Sequence, residues 1–369
     1  MHFHTLYDQF WTYTVTGLTA GAIYALVALG YTLVYGVLRL INFAHSEIFM
    51  IGTFGATFAT RWLGLHPPTD PRHGLALVGI LLFSALIAML CSGAAAVALE
   101  RIAYRPLRGT GDIFGAVALA FITAWVIAYI VLPQRPLPDL IVAIALAAPI
   151  TLWYRRLLAR GRQATRLAFL ISAIGASLAI SEGFAWWRGR NFEQYPRTFE
   201  RKQGLFHIFD AKIDAAQIIV IVGAIVMMFA LEVFVNRTRL GRGIRAVAQD
   251  QETARLMGVN VDNVIMITFL LGGMMAGGAG FLFVLFYENT KYNIGFILGV
   301  KAFTSAVLGG IGNLRGALLG GLSLGLIENY GSALTQTKWK DPIAFGVLLV
   351  VLMVRPTGLL GEKLARARA

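Results

Sequence analysis

Five charged residues lie inside long apolar runs or at their ends, where an ionisable side chain is costly. They are Glu47, Glu182, Glu232, Lys301 and Glu328. Each costs about 2.5–3.5 kcal/mol at the centre of a membrane helix, even on the more lenient insertion scale. We therefore expect these groups to face protein, water or one another, where they could bind ions or polar solutes.

Lys301 and Glu328 lie on two successive apolar segments joined by the turn Gly312 to Arg315. Each is about a dozen residues from that turn, so a hairpin of two helices brings both to a similar depth. The sequence predicts a buried ion pair or a shared polar network between them. The alternative is that each side chain extends separately toward the membrane surface.

A polar segment, Asn42-Phe-Ala-His-Ser-Glu47, precedes another apolar run. Asn42 can cap the helix that follows, and Glu47 falls within the first turns, near the positive end. One interpretation is a helix start with a polar cap. The other is a polar cluster at the inner mouth of a pathway, with Asn42, His45, Glu47 and Glu182 as candidate translocation residues.

Motifs of catalysis and metal binding are missing from the sequence. Gly361-Glu-Lys363 lacks the glycine loop of a nucleotide-binding P-loop, and neither H-E-x-x-H nor G-x-S-x-G occurs. The six histidines are scattered, and Cys91 is the single cysteine. We predict no catalytic residue, no metal site and no ATP hydrolysis by this chain.

The composition is that of a membrane protein. Of 369 residues, 57% are hydrophobic and 14% charged, and the mean hydropathy is +0.68, whereas soluble domains carry about 25% charged residues. The net charge of +13 comes from basic residues between apolar runs. This placement is typical of membrane topology signals and argues against nucleic-acid binding.

A membrane-crossing helix needs about 20 apolar residues. Candidate spans lie at 14–38, 42–60, 75–99, 113–132, 138–154, 167–187, 215–235, 261–285, 297–311, 316–334 and 342–354. The stretch 42–60 begins with polar residues and could be tilted or enter only partly. We predict one all-α polytopic domain over 1–369, with ten to eleven transmembrane or partly inserted helices.

Basic residues set the predicted orientation. The segment from Arg155 to Arg166 holds five arginines and no acidic residue, which favours a cytoplasmic location. With eleven spans the N-terminus is then outside and the C-terminus cytoplasmic. Residues 188–214 form an extracytoplasmic loop and 236–262 a cytoplasmic loop.

Several glycines are spaced four residues apart, on one face of a helix. They are Gly17 and Gly21, Gly273 and Gly277, and Gly312, Gly316 and Gly320. Small residues at this spacing let helix backbones approach closely in lipid. The pattern predicts internal helix packing or, alternatively, an interface that slides or pivots during transport.

The cytoplasmic loop has helical spacing from 244 to 257, with Ile244, Val247 and Ala248 on one face and Gly258 as the stop signal. A short amphipathic helix outside the membrane needs a cover for its apolar face. The membrane surface and a groove on another protein are the two candidates.

The sequence resembles the permease subunit of branched-chain amino-acid ABC importers. The similar stretches are Gly17 to Gly36 (GLTAGAIYALVALGYTLVYG), Ile41 to Gly52 (INFAHSEIFMIG), Glu100 to Pro106 (ERIAYRP), Ile171 to Ser177 (ISAIGAS), Gly241 to Asn260, Lys301 to Gly312 (KAFTSAVLGGIG) and Arg355 to Gly361 (RPTGLLG). Their order and spacing make the similarity specific.

The resemblance implies a multi-pass subunit of the bacterial inner membrane that pairs with a second, related permease. It also implies two cytoplasmic ATP-binding subunits, which hold the ATP, and an extracytoplasmic solute-binding protein. In this family the segment similar to Gly241–Gly258 docks the ATPase. That role falls here on Ile244, Val247, Ala248, Asp250, Ala254 and Gly258.

Two features depart from the family pattern. Ser46 stands where glycine is usual, and residues 107–166 look like an insertion that carries the spans 113–132 and 138–154. The main alternative function is an ion-coupled secondary transporter of a small polar solute, in which Glu47, Glu182 or Glu328 would bind the coupling ion.

Overall fold

The computed structural model describes residues 9–66, 74–108, 166–196, 206–208 and 211–361, and these are mostly helical. The helices are α1 (Phe10–Leu38), α2 (His45–Trp62), α3 (Gly74–Leu99), α4 (Arg166–Arg188), α5 (Ala215–Arg237), α6 (Arg239–Gln249), α7 (Gln251–Leu256), α8 (Val261–Tyr287), α9 (Ile294–Gly309), α10 (Leu314–Leu334) and α11 (Lys340–Val354). The predicted spans 113–132 and 138–154 lie outside the described residues.

Short strands join the loops at the end of the bundle opposite to α6. Strand β1 (Glu193–Gln194) pairs antiparallel with β4 (Asn289–Thr290), and β2 (Phe206–Ile208) pairs antiparallel with β3 (Ala211–Ile213). The pairing of β1 with β4 ties the loop after α4 to the end of α8. The loop predicted at 188–214 is therefore anchored at its start, at least over its described part.

Within the described residues, five helices are long and apolar enough to cross a membrane: α1, α3 with its π-helical extension Glu100–Tyr104, α4, α5 and α8. Helices α9 and α10 meet this criterion only together, bent by 119° into a broken span or a re-entrant loop. The sequence predicted two separate spans there. The total of eleven spans therefore stays a prediction.

Helices α1 and α8 form the centre of the bundle. In their most apolar windows 83% and 78% of the residues are buried, against 11% in α3 and 22% in both α4 and α5. Leucines along α3 and apolar side chains of α5 face outward. This arrangement is expected when peripheral helices face lipid and the central ones face only protein.

Helix α2 begins inside the bundle. The His45 ring, on its first residue, lies 4.7 Å from the ring of Tyr31, which is seven residues before α1 ends at Leu38. The start of α2 is therefore about 10 Å from the end of α1. This geometry agrees with the partial entry that was one of the two possibilities for 42–60.

Helix α9 runs antiparallel to α2, and the first turns of the two helices overlap. Before α9, the Thr290 hydroxyl lies 2.5 Å from that of Thr53, well inside α2. Along α9, the Phe303 ring lies 6.4 Å from the ring of Phe43, just before α2 begins. Both N-terminal, positive helix ends thus lie at the same interior level.

The glycine pattern serves internal packing in this chain. Gly17 and Gly21 lie against the backbone of α10, Gly273 and Gly277 against α3, and Gly316 and Gly320 against α9. A methyl group at Gly277, for example, would be 2.8 Å from Cα of Met89. Gly312 was wrongly placed in this set: it lies in the turn between α9 and α10, with φ +101°, and a methyl group there would meet no atom of the described residues within 4 Å.

Candidate functional site

The predicted cytoplasmic helix is two helices, α6 and α7, which meet at Asp250. The expectation of one helix over 244–257 was wrong, because Asp250 is extended (φ −153°, ψ 117°) and caps the second helix. Its Oδ1 accepts a hydrogen bond from the Glu252 amide (2.9 Å) and its Oδ2 one from the Thr253 hydroxyl (2.6 Å). These hydrogen bonds hold the Asp250 pKa below its usual value.

The apolar face of these helices is covered by the chain itself. Ile244, Val247 and Ala254 are buried, and Ala248 is half-buried against the core. Helix α6 packs on the ends of α1, α5 and α8. The prediction that this face needs a membrane surface or another protein was therefore wrong, because neighbouring helix ends provide the cover.

The opposite side of α7 is open to a partner. Leu256 and Met257 are 87% and 80% exposed, an unusual state for consecutive large apolar residues. Gly258 follows with φ +83°, a left-handed conformation that favours glycine. A shallow depression beside it is lined by Arg255, Gly258, Val259, Asn260, Val261 and Asp262.

Polar contacts connect the junction of α6 and α7 to the end of α1. The Gln251 side chain donates to the carbonyl oxygen of Val37 (2.9 Å), and the Arg39 guanidinium donates to that of Gln249 (3.3 Å). Residues Val37 and Arg39 lead directly into the segment that begins at Asn42. The α6–α7 junction and the start of α2 are therefore separated by only a few residues of backbone after Arg39.

The candidate translocation residues at the start of α2 are all buried, but their side chains diverge. Asn42 Oδ1 accepts from the Tyr104 hydroxyl at 3.0 Å, toward α3. The His45 ring lies against Gly30 and Tyr31 of α1. The Glu47 carboxylate accepts from the Ser177 hydroxyl of α4 at 3.3 Å. The structure thus distributes these residues over three helix contacts rather than one cluster.

Asn42 does not cap α2 as predicted. The helix begins at His45 with Ala44 as its N-cap, and Asn42 instead accepts from the Ala44 amide at 3.1 Å. Glu182 does not join the other candidates either. Its carboxylate lies 3.0 Å from the guanidinium of Arg190, at the end of α4, and its side chain is 34% exposed.

Lys301 and Glu328 are brought together. Lys301 Nζ lies 2.7 Å from Oε1 of Glu328, and both residues are buried. A third residue, not predicted from the sequence, joins them: Asp341 Oδ1, at the start of α11, is also 2.7 Å from Lys301 Nζ. The available signal was a charged residue immediately before the predicted span 342–354.

A second charged cluster, also missed, lies beside the α7–α8 loop. The Arg108 guanidinium contacts the fully buried Glu100 carboxylate and lies 3.7 Å from Asp262 of α8. Glu100 belongs to the stretch ERIAYRP, and the sequence assigned no role to its charges. Among the described residues, no three His, Cys, Asp or Glu side chains lie together in a way that could hold a metal ion.

Comparisons with known proteins give a consistent result. A family model described as the permease component of branched-chain amino acid transport systems matches residues 13–133 and 112–352. The permease BraD of Pseudomonas aeruginosa is 34% identical over 354 residues, and LivH of Escherichia coli is 34% identical over 349 residues. Each of these two alignments covers 94% of both chains. The autoinducer 2 import permease LsrC of Klebsiella pneumoniae is 34% identical over 137 residues, 36% of this chain and 40% of its own.

Proposed function

The chain belongs to the family of branched-chain amino acid transport system permease components, and on this premise we propose that it forms half of the translocation pathway of an ATP-driven importer. The substrates are branched-chain or closely related amino acids. The second half of the pathway comes from a related permease. Two cytoplasmic ATP-binding subunits supply the energy, and a soluble binding protein outside delivers the substrate.

One observation supports this function above the others: α7 presents an exposed apolar surface while its junction with α6 is hydrogen-bonded to α1. Leu256 and Met257 provide the partner-facing side, and Gln251 provides the contact with the carbonyl of Val37. A protein bound to α7 can thereby favour one arrangement of the helices over another. Such differential binding is what a conformational change driven by ATP requires.

The proposed orientation places α6, α7 and the C-terminus in the cytoplasm of a bacterial cell and the N-terminus outside its inner membrane. The arginines of the α5–α8 region support this placement, because basic loops are retained on the cytoplasmic side. Helix α9 begins inside the bundle, and its C-terminal end lies beside residues 359 and 360. In this orientation that end faces the cytoplasm.

An ion-coupled secondary transporter is the second candidate, because the buried carboxylate of Glu47 could bind a coupling ion. The discriminating experiment reconstitutes the four-subunit complex in proteoliposomes and supplies ATP and the ion gradient independently. We expect leucine uptake to require ATP and the binding protein, and to continue at its full rate after an ionophore collapses the gradient.

A chain that carries leucine down an imposed proton or sodium gradient without the ATP-binding subunits would contradict the importer. The partial similarity to an autoinducer 2 permease makes the substrate a separate question. Uptake of leucine, isoleucine and valine is therefore compared with uptake of small amides and sugars through the same complex.

A further inference from the structure

Glu47 has a buried carboxylate that takes no part in the contacts between the α6–α7 junction and α1. It lies in the first turn of α2 and is 2% exposed. Its Oε1 accepts from the half-buried Ser177 hydroxyl (3.3 Å), while its Oε2 has no hydrogen-bond partner among the described residues. A carboxylate oxygen buried without a donor is costly, so a ligand that supplies a donor would be bound favourably.

The unpartnered oxygen lies against the first turn of α9. A Cβ placed on Gly295 would be 3.0 Å from Glu47 Oε2. The carboxylate oxygen therefore lies next to the backbone of the first turn of α9, with no side chain of residue 295 between them. Asn293, the N-cap residue of α9, makes no side-chain capping bond. The backbone N–H groups that follow Ile294 in the first turn therefore remain available as donors.

The charges at this point are balanced without a ligand. Each helix N-terminus acts as about half a positive charge, so the overlapping ends of α2 and α9 together offset the one negative charge of Glu47. A ligand that carries one cationic and one anionic group adds no net charge. A ligand with only one charged group disturbs this balance.

We propose that Glu47 and the first turn of α9 form a subsite for the zwitterionic head group of an α-amino acid. The substrate ammonium donates to Glu47 Oε2, and its carboxylate accepts from the first-turn N–H groups of α9. This inference rests on the proposed function, since the substrate must reach the interior of the bundle. It involves binding only, with no covalent or proton-transfer step.

The position of the carboxylate is limited from the α4 side. The Ser177 hydroxyl donates to Glu47 Oε1, while Oε2 lies against the first turn of α9. The subsite therefore orients the substrate head group as well as neutralising its charges.

The test measures equilibrium binding of radiolabelled leucine to the assembled complex in lipid nanodiscs, without binding protein and without nucleotide. Two competitors each lack one charged group: 4-methyl-2-oxopentanoate has no ammonium, and 3-methylbutylamine has no carboxylate. We expect each to compete at least about tenfold more weakly than unlabelled leucine, because each forfeits hydrogen bonds to a charged group.

Variants assign the effect to the residue. Glu47→Gln keeps the shape of the side chain but removes its charge, and we expect leucine affinity to fall at least about tenfold. Glu47→Asp should retain part of the affinity. Glu232→Gln, on α5 and paired with Arg315, is the matched control and should bind leucine like the unmodified complex.

Three results would overturn the subsite: no measurable leucine binding by the unmodified complex, equal competition by leucine and the keto acid, or normal affinity in assembled Glu47→Gln. The competitor series needs no variant and remains decisive if Glu47→Gln fails to assemble. Leucine binding at Glu47 without ATP-driven uptake would contradict only the proposed function. Uptake with unchanged binding in Glu47→Gln would contradict only the subsite.

Discussion

The ammonium of Lys301 is held between two carboxylates that come from different helices. Glu328 of α10 is buried, with one oxygen unpartnered among the described residues, whereas Asp341 of α11 is half-exposed. Lys301 Nζ also lies 5.7 Å from the centre of the Tyr24 ring. One lysine thus links α1, α9, α10 and α11, and its two partners differ strongly in burial.

This difference in burial predicts that the three charged residues contribute unequally to the free energy of unfolding. Lys301→Met leaves Glu328 buried without a counter-charge, and we expect a loss of about 3 kcal/mol of unfolding free energy. Glu328→Gln should cost less, because Lys301 keeps its contact with Asp341. Asp341→Asn should cost less than about 1 kcal/mol, as exposed pairs do. Denaturation of the detergent-solubilised chain measures all three, and equal losses would contradict this ranking.

The side chain of Ser46 fits between α2 and α9 because the facing residues of α9 are glycines. The family pattern has glycine at this position, and a serine side chain needs more space between two helix backbones than glycine does. In the structure Gly295 and Gly299 of α9 lie directly against Ser46. The space that a serine needs on α2 is provided by glycines on α9, so close approach of the two helices is retained.

At the scale of elements, the junction between α6 and α7 is the part that the proposed function assigns to contact with the ATP-binding subunits. Its position depends on the Asp250 cap, because both carboxylate oxygens accept hydrogen bonds from the first turn of α7. The lowered pKa means that this contribution is present at neutral pH and is lost only as pH falls through the native-state pKa of Asp250.

A charge reversal tests this element. We expect Asp250→Arg to insert into the membrane normally but to lose both ATP-driven uptake and co-purification of the ATP-binding subunits, because arginine cannot accept the capping hydrogen bonds. Asp250→Asn keeps one acceptor oxygen and should retain most of the co-purification. A bulky residue at Gly258, where φ is +83°, should act like Asp250→Arg. Normal uptake by Asp250→Arg would argue against docking at this junction.

At the scale of the whole molecule, two helices, α2 and α9, begin inside the bundle and not at its surface. Helices α2 and α9 leave their shared level in opposite directions, so neither crosses the full thickness alone. Close glycine contacts join the central helices to their neighbours, α1 to α10 and α8 to α3. In the proposed mechanism, a movement of the α6–α7 junction would reach this interior through α1, to which the junction is hydrogen-bonded.

The proposed orientation predicts which surfaces are accessible from each side of the membrane. In a Cys91→Ser background, Leu256→Cys should react with an impermeant maleimide only after the cells are opened, whereas Trp339→Cys should react in intact spheroplasts. Both parent side chains are exposed, so accessibility reports the side and not burial. Labelling of Leu256→Cys in intact spheroplasts would reverse the orientation and remove the docking surface from the ATP-binding subunits.

The sequence alone determined the membrane class, the positions of most described helices and the depth of Lys301 relative to Glu328. Apolar run length and a short covalent turn are local properties, and they limit where a helix lies and how far two residues can be apart. The family resemblance, carried by its ordered motifs, is confirmed by the family model and by BraD and LivH.

Only the tertiary structure decided the contacts between distant segments. It divided the cytoplasmic helix at Asp250, buried Ile244 and Val247 against the chain itself, added Asp341 to the ion pair and brought Glu47 to the first turn of α9. Each of these depends on which helix faces interlock, and that is a property of packing between segments many residues apart. Apolar periodicity identifies a buried face, but it does not identify the surface that covers it.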